Sequence, residues 1–269
     1  MEKTRVPARE LIVKQLRRLR LAAGLTQEEF GKLINYSGSH VSAIELGNRA
    51  PDEVYLTRAD RALETGGLFM ALLELAKREA EPTWFRPWLD SERTATQLRC
   101  FEPNLVPGLL QTEEYARAVL RGDVTLSEAE VERLVAVRME RQKILEREDP
   151  PQVIAVLDEL ALRRFADGFA EIMAAQLLHL VALAERPRVS VHVVPASLGL
   201  HIGLSGPFVL ARAEDGGWTG HLENQLNGTI VERTEDVATL LARWETLRNE
   251  ALPRRQSLDL IKEIVQPWT

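Results

Sequence analysis

The sequence predicts an all-α N-terminal domain of five helices, followed by an α+β C-terminal domain. In the first 80 residues, apolar positions recur every three to four residues, which is the period of a helix. From residue 101 onward, helical segments alternate with short apolar runs rich in valine, which are typical of strands. A chain of 269 residues, 45% of them hydrophobic, is long enough to bury two cores. We therefore predict domains over residues 1–80 and 101–269, joined by a connector over residues 81–100.

Each helix of the N-terminal domain is marked by an apolar stripe and by a boundary residue. Thr26 and Glu29 have the form of a capping box, while Gly24 and Gly47 are placed to end the first and third helices. On the fourth helix, either Val54 or Tyr55 faces inward. The other residues predicted to face the core are Ile12, Leu16, Leu19, Ala23, Phe30, Leu33, Ile34, Val41, Ile44, Ala59, Leu63, Leu68, Leu72, Leu75 and Ala76.

The connector contains the proline- and tryptophan-rich stretch 81–88. Because an exposed tryptophan leaves a large apolar area in water, we expect this stretch to dock on a domain. Beyond the connector, strands are predicted at residues 153–157, 189–193, 208–211 and 229–232. Helices are predicted before, between and after these strands, the last two with strong apolar stripes.

Composition and charge exclude several classes of protein. Residues 1–50 hold nine Lys and Arg against five Asp and Glu, whereas residues 81–269 hold 21 against 29. An overall charge of −6 does not suit a protein that coats nucleic acid, so any such contact is expected in the first domain. The single cysteine, Cys100, suits a reducing compartment, and no apolar run suits a signal peptide or a membrane span. We expect a cytoplasmic protein.

The second and third helices have the arrangement of a helix-turn-helix motif, in which the second helix of the pair enters the major groove. Gln27 lies at the amino end of the first helix of the pair, where it is placed to hold a phosphate. The residues predicted to contact DNA are Gln27, Ser37, Gly38, Ser39, His40, Ser42, Ala43, Asn48 and Arg49. Periodicity alone leaves the alternative open that this is an ordinary helical bundle with a solvated polar face.

Two segments resemble a known family. Residues 26–30 (Thr-Gln-Glu-Glu-Phe) and 41–51 (Val-Ser-Ala-Ile-Glu-Leu-Gly-Asn-Arg-Ala-Pro) resemble the Xre-type, phage repressor/Cro-like DNA-binding domain. The resemblance implies binding to double-stranded DNA. The family often carries Gln at the position of Gly38 and a long polar or basic residue at that of Ala43. Direct hydrogen bonding to bases is therefore expected to be sparse here.

The second domain also resembles a family. Residues 101–112, with Val-Pro-Gly-Leu-Leu-Gln-Thr at 106–112, resemble the C-terminal domain of actinobacterial WhiJ-like, antitoxin-like regulators, as do residues 138–142, 157–159 and 201–208. This resemblance implies control by a ligand or by a small protein partner encoded nearby. We expect the contact in two Gly/Pro-punctuated loops, at Val106, Pro107, Leu109, Leu110, His201 and Phe208. The alternative is that these loops pack on the core of their own domain.

No complete catalytic, phosphate-binding or metal-binding motif is found. Residues 203–207 resemble a nucleophile elbow, but proline stands where its last glycine is required. The histidines lack metal-ligand spacing, so a strand histidine such as His192 is expected to be packed or solvated. We predict a solvated face for Arg138 and Arg141, with a contact to an anion or to a partner as the alternative, and partial burial for Glu102. No catalytic residue, metal or cofactor is predicted.

These observations favour a homodimeric transcription regulator that binds near-palindromic operators under the control of a ligand or small protein partner. The dimer is expected because one recognition helix with few base-reading side chains discriminates weakly. An alternative is an antitoxin-like protein that sequesters a small partner and autoregulates its own operon. A third alternative is an enzyme with a DNA-binding appendage. The operator, the sign of regulation and the identity of any small-molecule effector are not predicted.

Overall fold

The computed structural model describes residues 7–81, 85–165, 168–224 and 228–268, without the side chains of Ala80 and Trp268. The chain divides into two compact units, Met1–Pro82 and Thr83–Thr269. Three residues of the predicted connector, Pro82, Thr83 and Trp84, lie outside the described residues.

The first unit consists of helices, as the sequence predicts. Asp52 caps the fourth helix, and the buried Asp60 accepts hydrogen bonds from the backbone N–H groups of Phe69 (2.9 Å) and Met70 (3.0 Å) at the start of the fifth. The helices are α1 Ala8–Ala22, α2 Gln27–Ile34, α3 Gly38–Glu45, α4 Glu53–Ala62 and α5 Leu68–Ala80.

The core of this unit follows the predicted stripes with a few exceptions. Phe30, Ile44 and Tyr55 are fully buried, so Tyr55, and not Val54, is the inward residue of α4. The expectation of burial is wrong for Leu33, whose side chain is 59% exposed, and also for Ala23, Leu68 and Leu75, which are exposed. Phe30 and Ile34 already occupy the short inward face of α2, four residues apart, and Leu33 lies at its edge.

The second unit is α+β, as predicted. Its helices are α6 Arg86–Thr94, α7 Glu113–Arg121, α8 Glu128–Gln142, α9 Glu159–Leu162, α10 Ala170–Ala184, α11 Thr234–Glu250 and α12 Arg254–Val265. Its strands are β1 Gln97–Glu102, β2 Gln152–Asp158, β3 Val189–Val194, β4 Phe208–Arg212, β5 Trp218–Glu223 and β6 Gly228–Val231.

The six strands form one mixed sheet in the order β3-β2-β1-β4-β5-β6. Strands β1, β2 and β3 run parallel to one another, and β4, β5 and β6 are added antiparallel. Residues of β2 alternate between two hydrophobic cores, as the period of a strand requires. Ala155 packs with α10 and α12, whereas Val156 packs with Trp244 of α11. Helices therefore cover both faces of the sheet.

The connector expected over residues 81–100 does not match the boundary between the two units, which falls between Pro82 and Thr83. Helix α6 and the start of β1 lie within that range, and both belong to the core of the second unit through Trp88, Leu89 and Leu98. Strand β1, in the middle of the sheet, escapes detection because Gln97 and Arg99 interrupt its apolar residues. In the structure, Arg99 lies against the rings of Trp218 (4.7 Å) and Trp244 (4.4 Å).

None of the helices in the described part of the chain has both the length and the apolar character needed to cross a membrane.

Candidate nucleic-acid interface

Helices α2 and α3 are joined by a tight turn whose geometry depends on particular residues. Asn35 ends α2 in the left-handed conformation (φ 60°), and the Ser37 hydroxyl accepts the backbone N–H of His40 at 3.2 Å to cap α3. A Cβ on Gly31 would lie 2.7 Å from the Tyr36 carbonyl oxygen. Only glycine fits there, so Gly31 allows the chain to fold back over α2. The capping box of Thr26 and Glu29 is confirmed.

The N-terminal ends of α2 and α3 meet in a close backbone contact. A Cβ on Gly38 would lie 3.1 Å from the Cα of Glu28. The absence of a side chain at Gly38 therefore has a packing reason, which the sequence did not show. The two helix ends border one open depression of about 660 Å³, lined by Thr26, Gln27, Glu28, Lys32, Tyr36, Ser37, Gly38, Ser39 and Ser42.

Helix α3 buries Val41 and Ile44 and presents small residues on its other side. Ser39 is exposed, and Ser42 and Ala43 are partly exposed. The Ser39 hydroxyl lies 2.9 Å from that of Ser37. This surface lets another molecule approach α3 closely.

Gln27 does not project freely from the start of α2. Its Nε2 donates to Oε2 of Glu45 at 2.9 Å, and Glu45 in turn accepts from Nε (2.6 Å) and Nη2 (2.8 Å) of Arg20. Arg20 also donates to the Leu25 carbonyl at 2.6 Å. These bonds tie α1, α2 and the end of α3 together.

The ionisation of this network follows from its hydrogen bonds. Burial by itself would raise the pKa of Glu45, but the bonds from Arg20 and Gln27 outweigh it and hold that pKa below its ordinary value. The hydrogen bond to Glu45 raises the pKa of Arg20. Both groups are therefore charged at neutral pH. Sequence reasoning missed this pair, although Arg20 continues the four-residue spacing of Ala8, Ile12 and Leu16 and so occupies a buried position.

His40 is less available than its place in the sequence indicates. Its ring lies 4.6 Å from the ring of Tyr36 and stacks at 5.8 Å on Tyr55, and the residue is partly buried. These aromatic contacts direct the imidazole towards the core of the first unit.

Asn48 and Arg49 follow α3 in an exposed loop. The backbone N–H groups of both residues donate to the Ala43 carbonyl, at 2.9 and 3.2 Å. Their backbone is thus fixed to the end of α3, while their side chains extend from an exposed segment. The structure therefore brings Ser37, Ser39, Ser42, Ala43, Asn48 and Arg49 together on or next to one helix.

The loop over residues 106–110 of the second unit is buried, which corrects the expectation of a contact surface and agrees with the alternative that the loop packs on its own core. Val106, Pro107, Leu109 and Leu110 lie in the core. Its backbone polar groups are satisfied by three glutamines. Gln176 donates to Leu110 O (2.8 Å) and accepts from Thr112 N (2.7 Å), Gln142 donates to Gly108 O (2.9 Å), and Gln111 donates to Val106 O (2.7 Å). Such a loop is a packed structural element.

The prediction of a solvated face for Arg138 and Arg141 is wrong. Arg141 forms a two-pronged, largely buried ion pair with Glu92, at 2.9 and 2.8 Å, and lies over the ring of Phe85. Arg138 donates to Oε1 of Gln111 at 2.8 Å, and burial lowers the pKa of its guanidinium. Helix α8 therefore turns arginines, as well as apolar residues, towards the interior of the unit. The periodicity of apolar residues does not reveal such a face.

His201 and Phe208 are also packed within the second unit and do not form an exposed contact surface. His201 Nε2 donates to Asp158 Oδ2 at 3.0 Å, its Nδ1 is buried without a hydrogen-bond partner among the described residues, and Phe208 is only 5% exposed. The exposed apolar side chains of this segment are Leu200, Ile202 and Leu204 instead. The sequence did not indicate which residues of the segment 200–208 are buried and which are exposed.

Two histidines and one glutamate of the second unit are buried or partly buried. His192 and His221 are packed in the core, as the ordinary interpretation of a strand histidine predicts, and burial lowers the pKa of His221 to about 4. Burial, and then the charge of Glu223, raises the pKa of Glu102 to about 8. Within the described ranges, no group of three or more His, Cys, Asp or Glu is placed to hold a metal ion.

Comparison with known families assigns both units. Residues 12–73 match a family described as "Helix-turn-helix domain" and residues 85–263 match one described as "Domain of unknown function (DUF5753)". Neither a curated protein nor a solved structure matches the chain. The first match includes α2, the turn and α3, and it supports a DNA-binding regulator.

Proposed function

The chain belongs to the DUF5753 family and carries a helix-turn-helix domain ahead of that region, and from this we propose that it is a sequence-specific transcription regulator. In this proposal it binds near-palindromic operators as a homodimer. The second unit adjusts operator affinity in response to a ligand or a small protein partner.

The observation that carries the proposal is the shared depression at the start of α2 and α3. The backbone N–H groups that a side-chain cap leaves unpaired at a helix N-terminus attract phosphate. Two such capped ends border this depression, together with Lys32, which also pairs with Glu28 at 3.1 Å. The small outward residues of α3, Ser39, Ser42 and Ala43, favour entry into a major groove. We assign the phosphate contacts to Arg49 and to the backbone at Gln27, whose side chain is bound to Glu45.

Homodimerisation is proposed on energetic grounds. A good base contact contributes about 1–3 kcal/mol, and α3 offers few side chains that make one. Two recognition helices on half-sites about one helical turn apart would supply the missing discrimination. Leu68 and Leu75 on α5 are each more than a third exposed and lie seven residues apart on one helical face, which suits a self-association surface.

The finer family assignment also belongs to the proposal. We place the first unit with the Xre-type domains on the strength of residues 26–30 and 41–51, and the second with the WhiJ-like, antitoxin-like regulators on residues 106–112. In the structure, residues 26–30 contain the capping box, and residues 41–51 contain Glu45, which pairs with Arg20.

Selection of binding sites from random duplexes with the full chain tests the proposal. We expect a two-fold symmetric consensus, and Ala43→Glu, which adds a negative charge to the groove-facing side of α3, should abolish binding measured by fluorescence anisotropy. Leu178→Glu, the same charge added at an exposed position of the second unit, should leave affinity unchanged. Recovery of no sequence above background, or binding by Ala43→Glu equal to wild type, would contradict it.

A second candidate function is an antitoxin-like protein that sequesters a small partner. Three exposed apolar residues, Leu200 (92% exposed), Ile202 and Leu204, lie within five residues of one another, and such patches mark interaction surfaces. Capture of small proteins from the native host by the wild type, and loss of that capture in a Leu200→Lys/Leu204→Lys variant, would support it. Leu178→Lys is the matched control. Equal capture by all three chains would contradict this candidate.

A further inference from the structure

We propose that a cavity in the second unit binds a small amphiphilic anion, a molecule with a compact apolar body and one carboxylate or similar head group. The cavity has a volume of about 300 Å³ and lies where the segment 202–208, strands β5 and β6, and helix α11 meet. The lining residues that carry the argument are Ser205, Phe208, Leu222, Thr229, Leu240 and Arg243.

The floor of the cavity is apolar. Phe208 and Leu240 belong to the hydrophobic core between the sheet and α11, and Leu222, opposite Phe208 in the β4–β5 ladder, packs against the same core. A space of this size with an apolar floor accommodates the body of a small organic molecule. Water held against such a floor makes few hydrogen bonds, so its displacement favours binding.

The rim of the cavity carries a positive charge. Arg243 lies on α11, three residues after Leu240, so that both border the same end of the cavity. Arg243 is exposed and has no hydrogen bond or ion pair with any residue that the structure describes. The hydroxyl groups of Ser205 and Thr229 add hydrogen-bond donors at the same rim.

The acidic residue at the border does not cancel this charge. Glu223 also borders the cavity, but it follows Leu222 in β5, and strand alternation directs its side chain towards the opposite face of the sheet. There it interacts electrostatically with Arg138 and Arg141. The complement of an apolar floor with an unpaired guanidinium is therefore an apolar molecule with an anionic head, since Arg pairs with carboxylate through two parallel hydrogen bonds.

This inference deepens the proposed function, because it supplies the site at which a small molecule would act on the regulator. Its test is independent of DNA. Calorimetry on the full chain, without DNA, compares 4-phenylbutyrate, 4-phenylbutan-1-ol and 4-phenylbutylamine, which share one apolar body and differ in the head group. We expect the carboxylate to bind about tenfold or more tightly than the alcohol, and the amine to bind least well.

Variants locate the binding. Arg243→Gln should reduce the affinity for 4-phenylbutyrate to that for the alcohol, whereas Arg248→Gln, on the same helix but outside the lining, should not. Ser205→Trp, at an exposed position, should fill the entrance and abolish binding of both compounds. No binding of any compound, equal binding of the acid and the amine, or an unchanged affinity in Arg243→Gln would overturn the proposal. Operator binding is measured separately, so that a failure of the ligand site can be distinguished from a failure of the proposed DNA-binding function.

Discussion

Arg20 and Glu45 form a buried, two-pronged ion pair that joins α1 to the last residue of α3, with N–O distances of 2.6 and 2.8 Å. The two residues are 25 positions apart, and Gln27 completes the network from the start of α2. The orientation of the proposed recognition helix therefore depends on a polar contact inside the domain.

Removing one member of this pair should destabilise the first unit strongly. Glu45→Ala leaves a buried guanidinium without its counter-charge, and we expect a loss of about 3–5 kcal/mol in unfolding free energy. Denaturant-dependent hydrogen exchange of peptides from α1, α2 and α3 in the full chain measures it. Glu10→Ala, which removes the exposed pair with Lys14, should cost at most about 1 kcal/mol.

A double variant separates the loss of the pair from the exposure of an unpaired charge. Arg20→Met/Glu45→Leu removes both charges, and its unfolding free energy should lie closer to that of wild type than does that of Glu45→Ala. A double variant less stable than Glu45→Ala would show that packing, not charge, dominates at this position.

Arg49→Ala should weaken binding to all duplexes by a similar factor. Its side chain leaves an exposed loop just beyond α3, a position suited to a phosphate contact. A lost phosphate contact lowers the slope of log affinity against log salt by about one. Anisotropy titrations at several salt concentrations, with the consensus and with a scrambled duplex, measure both effects, and Arg255→Ala is the control. A changed base preference at one position would instead assign Arg49 to a base edge.

Sequence discrimination by α3 should depend partly on DNA shape. Ser39, Ser42 and Ala43 offer few hydrogen bonds to bases, although the Ala43 methyl group suits a thymine methyl contact. We therefore expect selected sites to show preferences at central base pairs that the protein does not touch. Ala43→Gly should reduce the preference for thymine at one position of each half-site. Sharp half-sites around a random centre would argue against this prediction.

Glu102 should give the second unit a stability that falls as the pH rises. Burial raises its folded-state pKa to about 8, so the folded chain binds a proton more tightly than the unfolded chain does. The stabilisation is complete below the unfolded pKa of about 4.3 and is lost as the pH rises through about 8. Unfolding monitored by tryptophan fluorescence between about pH 5 and 9 measures it.

Two variants test the assignment to Glu102. Glu102→Gln should flatten this pH dependence because it removes the titrating group. Glu223→Gln removes a neighbouring negative charge whose repulsion raises the pKa of Glu102. The folded-state pKa of Glu102 should then fall, and the decline in stability should shift to lower pH. An identical pH profile in wild type and Glu102→Gln would rule the assignment out.

Several features of the candidate interface were predictable from the sequence. The capping box of Thr26 and Glu29, the cap at Ser37 and the inward residues Val41 and Ile44 are local features, each determined within one turn of helix. For the same reason, β2, β3, β4 and β6 were predicted from their apolar runs. Strands β1 and β5 were not predicted, and in β1 the apolar pattern is interrupted by Gln97 and Arg99, which contact distant residues.

The sequence by itself determined the five helices of the first unit, strands β2, β3, β4 and β6 and the position of the helix-turn-helix, because hydrophobic periodicity and capping act between residues close in the chain. Only the tertiary structure decided which polar groups are buried. Arg20 meets Glu45, Arg141 meets Glu92, and Gln176 meets the loop at Leu110 across separations of 25 to 66 residues. Charged and amide side chains have the same appearance in a sequence whether solvent or a distant partner satisfies them, and only the packing of the chain determines which one does.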